Sequence, residues 1–282
     1  TVTDANGCIA RHTFTITQPT ALTATALSSS NVTCFDDDDG TMTILPQGGT
    51  ATNPYTCQWK EATAGISGTA TTSTVQVGPY LTYVGAALEP GTWSCIVTDA
   101  NGCSQETNTQ VVTEPNVVHI TKGNQTNVLC FGASTGVAPV TVAGGNSTYT
   151  YTWTGGDAVG QGATASNLSA NTYVVSVVDG NSCPDDGDVS FTITQPATVV
   201  SSSSTQTNVN CNAASTGAID LTAQGGTEAG TYDYSWVNDA NAGVVIATTE
   251  DLTGLAAGSY TCTITDDNSC TTTEAVTITQ PA

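Results

Sequence analysis

One set of landmarks recurs along this 282-residue chain, and it constrains the fold more than any other feature. The segment Thr1-Val-Thr-Asp-Ala-Asn-Gly-Cys8 returns as Ile96 to Cys103, Val177 to Cys183 and Ile264 to Cys270. Each copy leads to Thr-Ile-Thr-Gln-Pro or a close variant, ending at Pro19, Pro115, Pro196 and Pro281. After the first three prolines comes a second landmark: Asn-Val-Thr-Cys34, Asn-Val-Leu-Cys130 and Asn-Val-Asn-Cys211. The prolines stand 96, 81 and 85 residues apart, the length of a small domain. A string of such domains is usually built to span distance.

Composition narrows the class. Three Lys+Arg against 24 Asp+Glu leave a net charge of −21, which makes nucleic acid and anionic membranes poor partners. Only 10% of residues are charged, so Thr, Ser, Asn and Gly must cover the surface. Apolar residues recur at period two, no window carries them at helical spacing, and no run of about 20 could span a bilayer. Ten Cys with no CxxC and no Cys/His cluster point to disulfides and an oxidising, extracytoplasmic setting. The chain opens inside a repeat and reads as a piece of a longer polypeptide.

Residues 20–115 show one unit. Leu22–Leu27 alternates as a first strand, and Thr41–Leu45 forms a second. Gly48-Gly49 turns the chain into a third, Tyr55–Trp59, with Tyr55, Cys57 and Trp59 on one face. Gly91–Thr98 is a later strand, Ala100-Asn-Gly102 a hairpin turn, and the run into Val112 the last strand. Trp153 and Trp236 stand where Trp59 does, and Tyr173 and Tyr260 where Trp93 does. This is the pattern of an all-β chain of tandem immunoglobulin-like β-sandwiches forming an elongated rod. The expected divisions are a terminal hairpin of a preceding repeat at 1–19, then repeats at 20–115, 116–196 and 197–282. The first repeat carries an insertion at about 61–90, since Trp59 and Gly91 are separated by 31 residues, against 17 between Trp153 and Asn171.

The linked motifs Thr-Val-Thr-Asp-Ala-Asn-Gly-Cys, Thr-Ile-Thr-Gln-Pro, Asn-Val-Thr-Cys and Gly-Gly-Thr resemble the SprB-type repeat of Bacteroidetes gliding adhesins and related giant surface proteins. The resemblance covers essentially the whole chain. It implies type IX secretion, display on the bacterial cell surface, and a stalk rather than an active site; it supplies no catalytic residue and no ligand.

The landmark cysteines allow three pairings. Cys34–Cys103, Cys130–Cys183 and Cys211–Cys270 would close each repeat on itself. Cys8–Cys34, Cys103–Cys130 and Cys183–Cys211 would tie each hairpin to the next repeat's first loop. Cys34–Cys183 and Cys130–Cys270 would tie that loop to the hairpin of the following repeat. In a sandwich the two ends of a domain are about 30 Å apart, while a disulfide needs Cα atoms within about 7 Å. Geometry therefore speaks for the third pairing and modular folding for the first. Cys57 and Cys95 face inward on neighbouring strands, positions suited to a further disulfide. Cys262 matches Cys95 but faces Tyr234, and reads as a buried thiol.

Two features set the first repeat apart. Asp36, Asp37, Asp38 and Asp39 follow Cys34, and Asp185, Asp186 and Asp188 follow Cys183. These are either two solvated acidic loops or, if the repeats meet there, carboxylates for a Ca²⁺ ion at the junction. The insertion carries Tyr80, Leu81 and Tyr83, as an added strand pair or as a contact surface for polysaccharide or another filament. His12 and His119 have no catalytic company, so no enzyme and no required cofactor are expected. The chain thus reads as the stalk of a long adhesin filament, with neighbouring repeats as its partners. The competing readings are a subunit of a non-covalently assembled fibre and a spacer or glycan-binding region of a secreted hydrolase.

Overall fold

Residues that alternate between polar and apolar along a strand put one face on a core and the other in water. The computed structural model describes residues 1–50, 55–62, 65–66, 71–77, 80–157, 161–227, 231–241 and 243–282, with backbone alone between 63 and 86. It falls into two compact units, Thr1–Val117 with Gly144–Asn146, and Val118–Ala143 with Ser147–Ala282.

In the first unit, β1 (Val2–Thr3) and β2 (Ile9–Ala10) form a hairpin. The strands that follow are β3 (Thr20–Ser30), β4 (Gly40–Gly49), β5 (Thr56–Glu61), β6 (Gly65–Ile66), β7 (Thr71–Val77), β8 (Tyr80–Leu88), β9 (Gly91–Thr98), β10 (Ser104–Glu106) and β11 (Gln110–Val112). They make two antiparallel sheets, β3-β4-β8-β7 and β10-β9-β5-β6, with β11 also paired to β9. Met42, Ile44, Trp59, Leu88, Trp93, Cys95, Val97 and Val112 are buried in one core.

In the second unit come β12 (His119–Lys122), β13 (Gly136–Ala143), β14 (Thr150–Thr154), β15 (Thr164–Leu168), β16 (Asn171–Val178) and β17 (Val189–Ile193). Their sheets are β12-β13-β15 and β14-β16-β17. Then follow β18 (Ser201–Thr207), β19 (Gly217–Gln224), β20 (Asp233–Asn238), β21 (Val245–Ala247), β22 (Leu252–Leu255), β23 (Gly258–Thr265) and β24 (Thr271–Ile278). These build β18-β19-β22 and β21-β20-β23-β24.

The same plan thus recurs: first, second and fourth main strands in one sheet, and third, fifth and last in the other. That division is immunoglobulin-like. The fifth strand carries a further mark of the class. Tyr173 and Tyr260 hydroxyls donate to the carbonyls of Ser169 and Ala256 at 3.0 Å, and Trp93 Nε1 donates to Glu89 O at 2.9 Å. In each case an aromatic near the start of the strand ties back four residues upstream, as in a tyrosine corner. The long connection of the first repeat is no added pair outside this plan. β8 pairs with β4 as β15 does with β13 and β22 with β19, so β8 is the fourth main strand and only β7 is extra.

Candidate functional site: the joint between successive repeats

The turn Asp266-Asp267-Asn268-Ser269-Cys270 joins β23 to β24. Asp266 organises it: Oδ1 accepts the amides of Asn268 (3.0 Å) and Cys270 (2.8 Å). Its backbone amide donates to Cys270 O at 3.0 Å, and Ser269, at φ +66°, donates to Asp266 O at 2.9 Å. The second carboxylate oxygen accepts the amide of Thr227 at 2.9 Å, while Thr227 Oγ1 receives Asn268 Nδ2 at 2.6 Å. Gly226 lets the carboxylate in. It has φ +69°, and a Cβ there would lie 2.5 Å from Asp266 Oδ2. Burial raises the Asp266 pKa, but the amides of Thr227, Cys270 and Asn268 more than offset this and hold the carboxyl below its ordinary value.

The first repeat repeats this construction atom for atom. Asp99 Oδ1 accepts Asn101 N (3.0 Å) and Cys103 N (2.9 Å), Oδ2 accepts Thr50 N (2.9 Å), and Asn101 Nδ2 donates to Thr50 Oγ1 (2.6 Å). Asp4 and Asp179 make the same two turn bonds, to Asn6 and Cys8 and to Asn181 and Cys183, all at 2.9 Å. The landmark Asp-Ala-Asn-Gly-Cys is therefore a cysteine-presenting turn, and Gly-Gly-Thr is its clamp.

The second landmark builds the other half. In Asn-Val-Leu-Cys130, Asn127 Oδ1 accepts Thr194 N (3.1 Å), and buried Val128 donates its amide to Thr194 O (2.9 Å). The loop beyond is braced by Gln195, whose Oε1 accepts Gly132 N at 2.8 Å, and by Thr135, whose Oγ1 accepts Leu129 N at 3.1 Å. Around Cys211 the equivalents are Asn208 with Thr279 (2.9 Å), Gln280 with Ala213 N (3.1 Å) and Thr216 with Asn210 N (3.1 Å). Around Cys34 they are Asn31 with Thr113, Glu114 with Asp36 N (3.2 Å) and Asp39 with Thr33 N (2.7 Å). The Gln of Gln-Pro is thus a brace for the cysteine loop as well as part of a linker. Sequence reasoning missed these braces and the organising Asp. The signal available was that each recurs at a fixed place beside a cysteine.

The two halves meet between the second and third repeats. Cys130 is joined to Cys270, with Cα atoms 5.6 Å apart and 140 residues between them in sequence. Asn268 Nδ2 donates to Leu129 O at 3.3 Å, and Cys270 Sγ, bonded and without a proton, rests 3.5 Å from the same oxygen. Self-closure is corrected by this arrangement: Cys130 is not joined to Cys183, Cys103 is free and so not joined to Cys34, and Cys211 is free and so not joined to Cys270. The reason is length. Cys270 precedes the eight-residue β24 and the Cys211 loop is braced just beyond it, a separation of about 26 Å. The sequential pairing is not made either, since Cys8, Cys103 and Cys211 are all free and exposed. Cys34 and Cys183 carry no free thiol.

Cys57 and Cys95 are joined across adjacent strands of one sheet, with Cα atoms 6.1 Å apart. In the third repeat Cys262 is buried beside Trp236, and burial pushes its thiol up to about 11.

The acidic residues are engaged locally. Asp39 accepts from the Thr33 amide and hydroxyl, Asp185 from the amides of Val177 and Gly187, and Asp186 from His119 Nδ1 at 2.6 Å. Asp36, Asp37, Asp38 and Asp188 are exposed. Among the described residues no group of three or more His, Cys, Asp or Glu is placed to hold a metal ion. The side chains of Tyr80, Leu81 and Tyr83 lie outside the described residues; their backbone belongs to β8, between β4 and β7.

Residues 26–64, 123–158 and 203–241 match the family model described as SprB repeat. The chain carries a SprB-repeat match in each of its three sandwiches. Each match runs across one cysteine loop and the Trp-bearing third strand. No curated protein matches the chain. Among solved structures it is similar to a three-immunoglobulin-domain fragment of titin (12% identity, 95% of this chain and 100% of that one, TM-score 0.38). The three N-terminal domains of the bacteriophage RB49 Highly Immunogenic Outer Capsid protein also match (15%, 93% and 100%, TM-score 0.36). So does the eight-domain N-terminal fragment of Down Syndrome Cell Adhesion Molecule (11%, 92% and 42%, TM-score 0.37). The chain spans less than half of that last fragment. The fold assignment rests on the sheets themselves. Among the described residues no helix is long and apolar enough to cross a membrane.

Proposed function

We propose that this SprB-repeat chain is a load-bearing stalk region of an extracellular adhesin displayed on a bacterial surface, exported by the type IX route and used for adhesion or gliding. The Cys130–Cys270 joint carries the proposal. Two repeats linked only through residues 194–200 would swivel about that connection. A disulfide away from it gives the joint a second attachment and removes most of that freedom. The 140-residue loop it closes is among the longer ones, so the chain-entropy account gives it about 5 kcal/mol against unfolding. A surface poor in Lys and Arg, with net charge −21, keeps neighbouring stalks apart.

The test is Cys130→Ser/Cys270→Ser in the cell-surface protein. Cells carrying it should display the adhesin in equal amount yet detach at lower shear. Equal detachment at matched display would defeat the load-bearing role.

A further inference from the structure

In each repeat the first and last strands lie in different sheets, yet side chains stitch these two segments together. In the second repeat His119 Nδ1 stands 2.6 Å from Asp186 Oδ2, and Lys122 Nζ donates to Ser190 O at 2.7 Å. Further along, Gln125 Nε2 donates to Thr192 O at 2.6 Å, and Asn127 Oδ1 accepts Thr194 N at 3.1 Å. The partners stand 67, 68, 67 and 67 residues apart. A constant offset means that the two segments run parallel; an antiparallel pair would hold a constant sum instead. Backbone bonds of 2.9 Å close the ends of this seam, from Asp186 N to Val118 O and from Val128 N to Thr194 O. Lys122 also lies over buried Phe191, 4.5 Å from its ring centroid.

The other repeats are sewn in the same sense with different residues. In the third, Glu274 accepts the hydroxyls of Ser202 (3.1 Å) and Ser204 (2.7 Å), and Asn208 accepts Thr279 N, at offsets of 72, 70 and 71. In the first, Asn108 accepts Ala26 N, Ser29 donates to Val111 O and Asn31 accepts Thr113 N, each at an offset of 82.

We propose that these parallel seams are a reserve load path, which carries tension through the repeats when the disulfide of a joint is open. Two covalent routes cross the joint between repeats two and three. One is β12, Cys130, Cys270 and β24; the other is β17, residues 194–200 and β18. The first is the shorter and takes the load while the bridge holds. With the bridge open, tension enters the second repeat at the start of β12 and leaves it at the end of β17. Parallel neighbours pulled from opposite ends slide past one another, so every stitch is strained at once. Neighbours pulled from the same end would lose their bonds one at a time. The load then passes along residues 194–200 to β18 and crosses the second seam to β24. The role in the cell rests on the load-bearing reading; the strength of the seams does not.

The test is to pull the full chain by handles at Asn116 and Ala282 in the Cys130→Ser/Cys270→Ser background. At fixed force the lifetime of each folded repeat reports its unfolding rate. Gln125→Ala should shorten one of the two lifetimes about fivefold, the weight of one hydrogen bond, and Glu274→Ala should shorten the other by at least as much. Thr261→Ala removes a 3.0 Å bond to Asp239 that lies outside the seams, and should change neither lifetime. With the bridge intact, Gln125→Ala and Glu274→Ala should leave the extension curve as it is. A lifetime unchanged by either seam substitution, or shortened as much by Thr261→Ala, would overturn the proposal. Cell detachment does not enter this readout, so failure here is distinct from failure of the stalk reading.

Discussion

A single carboxylate does much of the local work at the joint. Asp266 gathers three backbone amides, fixes the turn that presents Cys270, and locks that turn to Thr227. Because these amides hold the folded carboxyl below its ordinary value, its stabilisation is complete above the unfolded pKa of about 4 and is lost as pH falls through the lower folded value. Asp39, Asp99, Asp157 and Glu106 are lowered as well and add to the same acid limb. Protonation also relieves repulsion in a chain of net charge −21, which works the other way. Comparison of Asp266→Asn with the parent chain isolates the turn. The variant should be about 1–2 kcal/mol less stable at neutral pH, and the difference should shrink as pH drops below about 4. A constant difference across pH, followed by thermal melts, would mean that the charge on Asp266 contributes nothing.

At the scale of elements, what was legible in the sequence was what period two can carry. Tyr173, Val175 and Val177 alternate inward along β16, and Tyr260, Cys262 and Ile264 along β23, so strand, face and partner sheet could be read directly. Trp59, Trp153 and Trp236 mark the third strand for the same reason. The polar construction of the joint was not legible, because its bonds run between segments far apart in sequence. Gln195 meets Gly132 across 63 residues, and Thr227 meets Asp266 across 39; neither leaves a local pattern. In Gln-Pro the Pro stiffens the local chain, while the Gln side chain acts on another loop. The surplus length of the first repeat does not by itself say which of its two strands takes the fourth position, which the pairing of β8 with β4 decides. The brace is directly testable. Gln195→Ala should speed amide exchange at Gly132 while costing at most about 1 kcal/mol overall. Unchanged protection at Gly132 would show that the loop stands without it.

For the whole molecule the consequence is a load path. Tension that reaches Cys130 can cross directly to Cys270 and leave through β24, so that β13 to β23 need carry none of it. The strands between the two cysteines are then spared force that would otherwise peel them one by one, while β24 stays in line with it. Handles at Asn124 and Ala282 place the tension across this joint. Pulled to full extension, the parent chain should be shorter than Cys130→Ser/Cys270→Ser by the length of the spanned segment. For a separation of 140 residues that is about 460–500 Å. The variant should also show unfolding steps for the third repeat that the parent lacks. Equal extensions for the two would mean that the bridge does not hold under load, and the resistance of the stalk would then rest on its sheets alone.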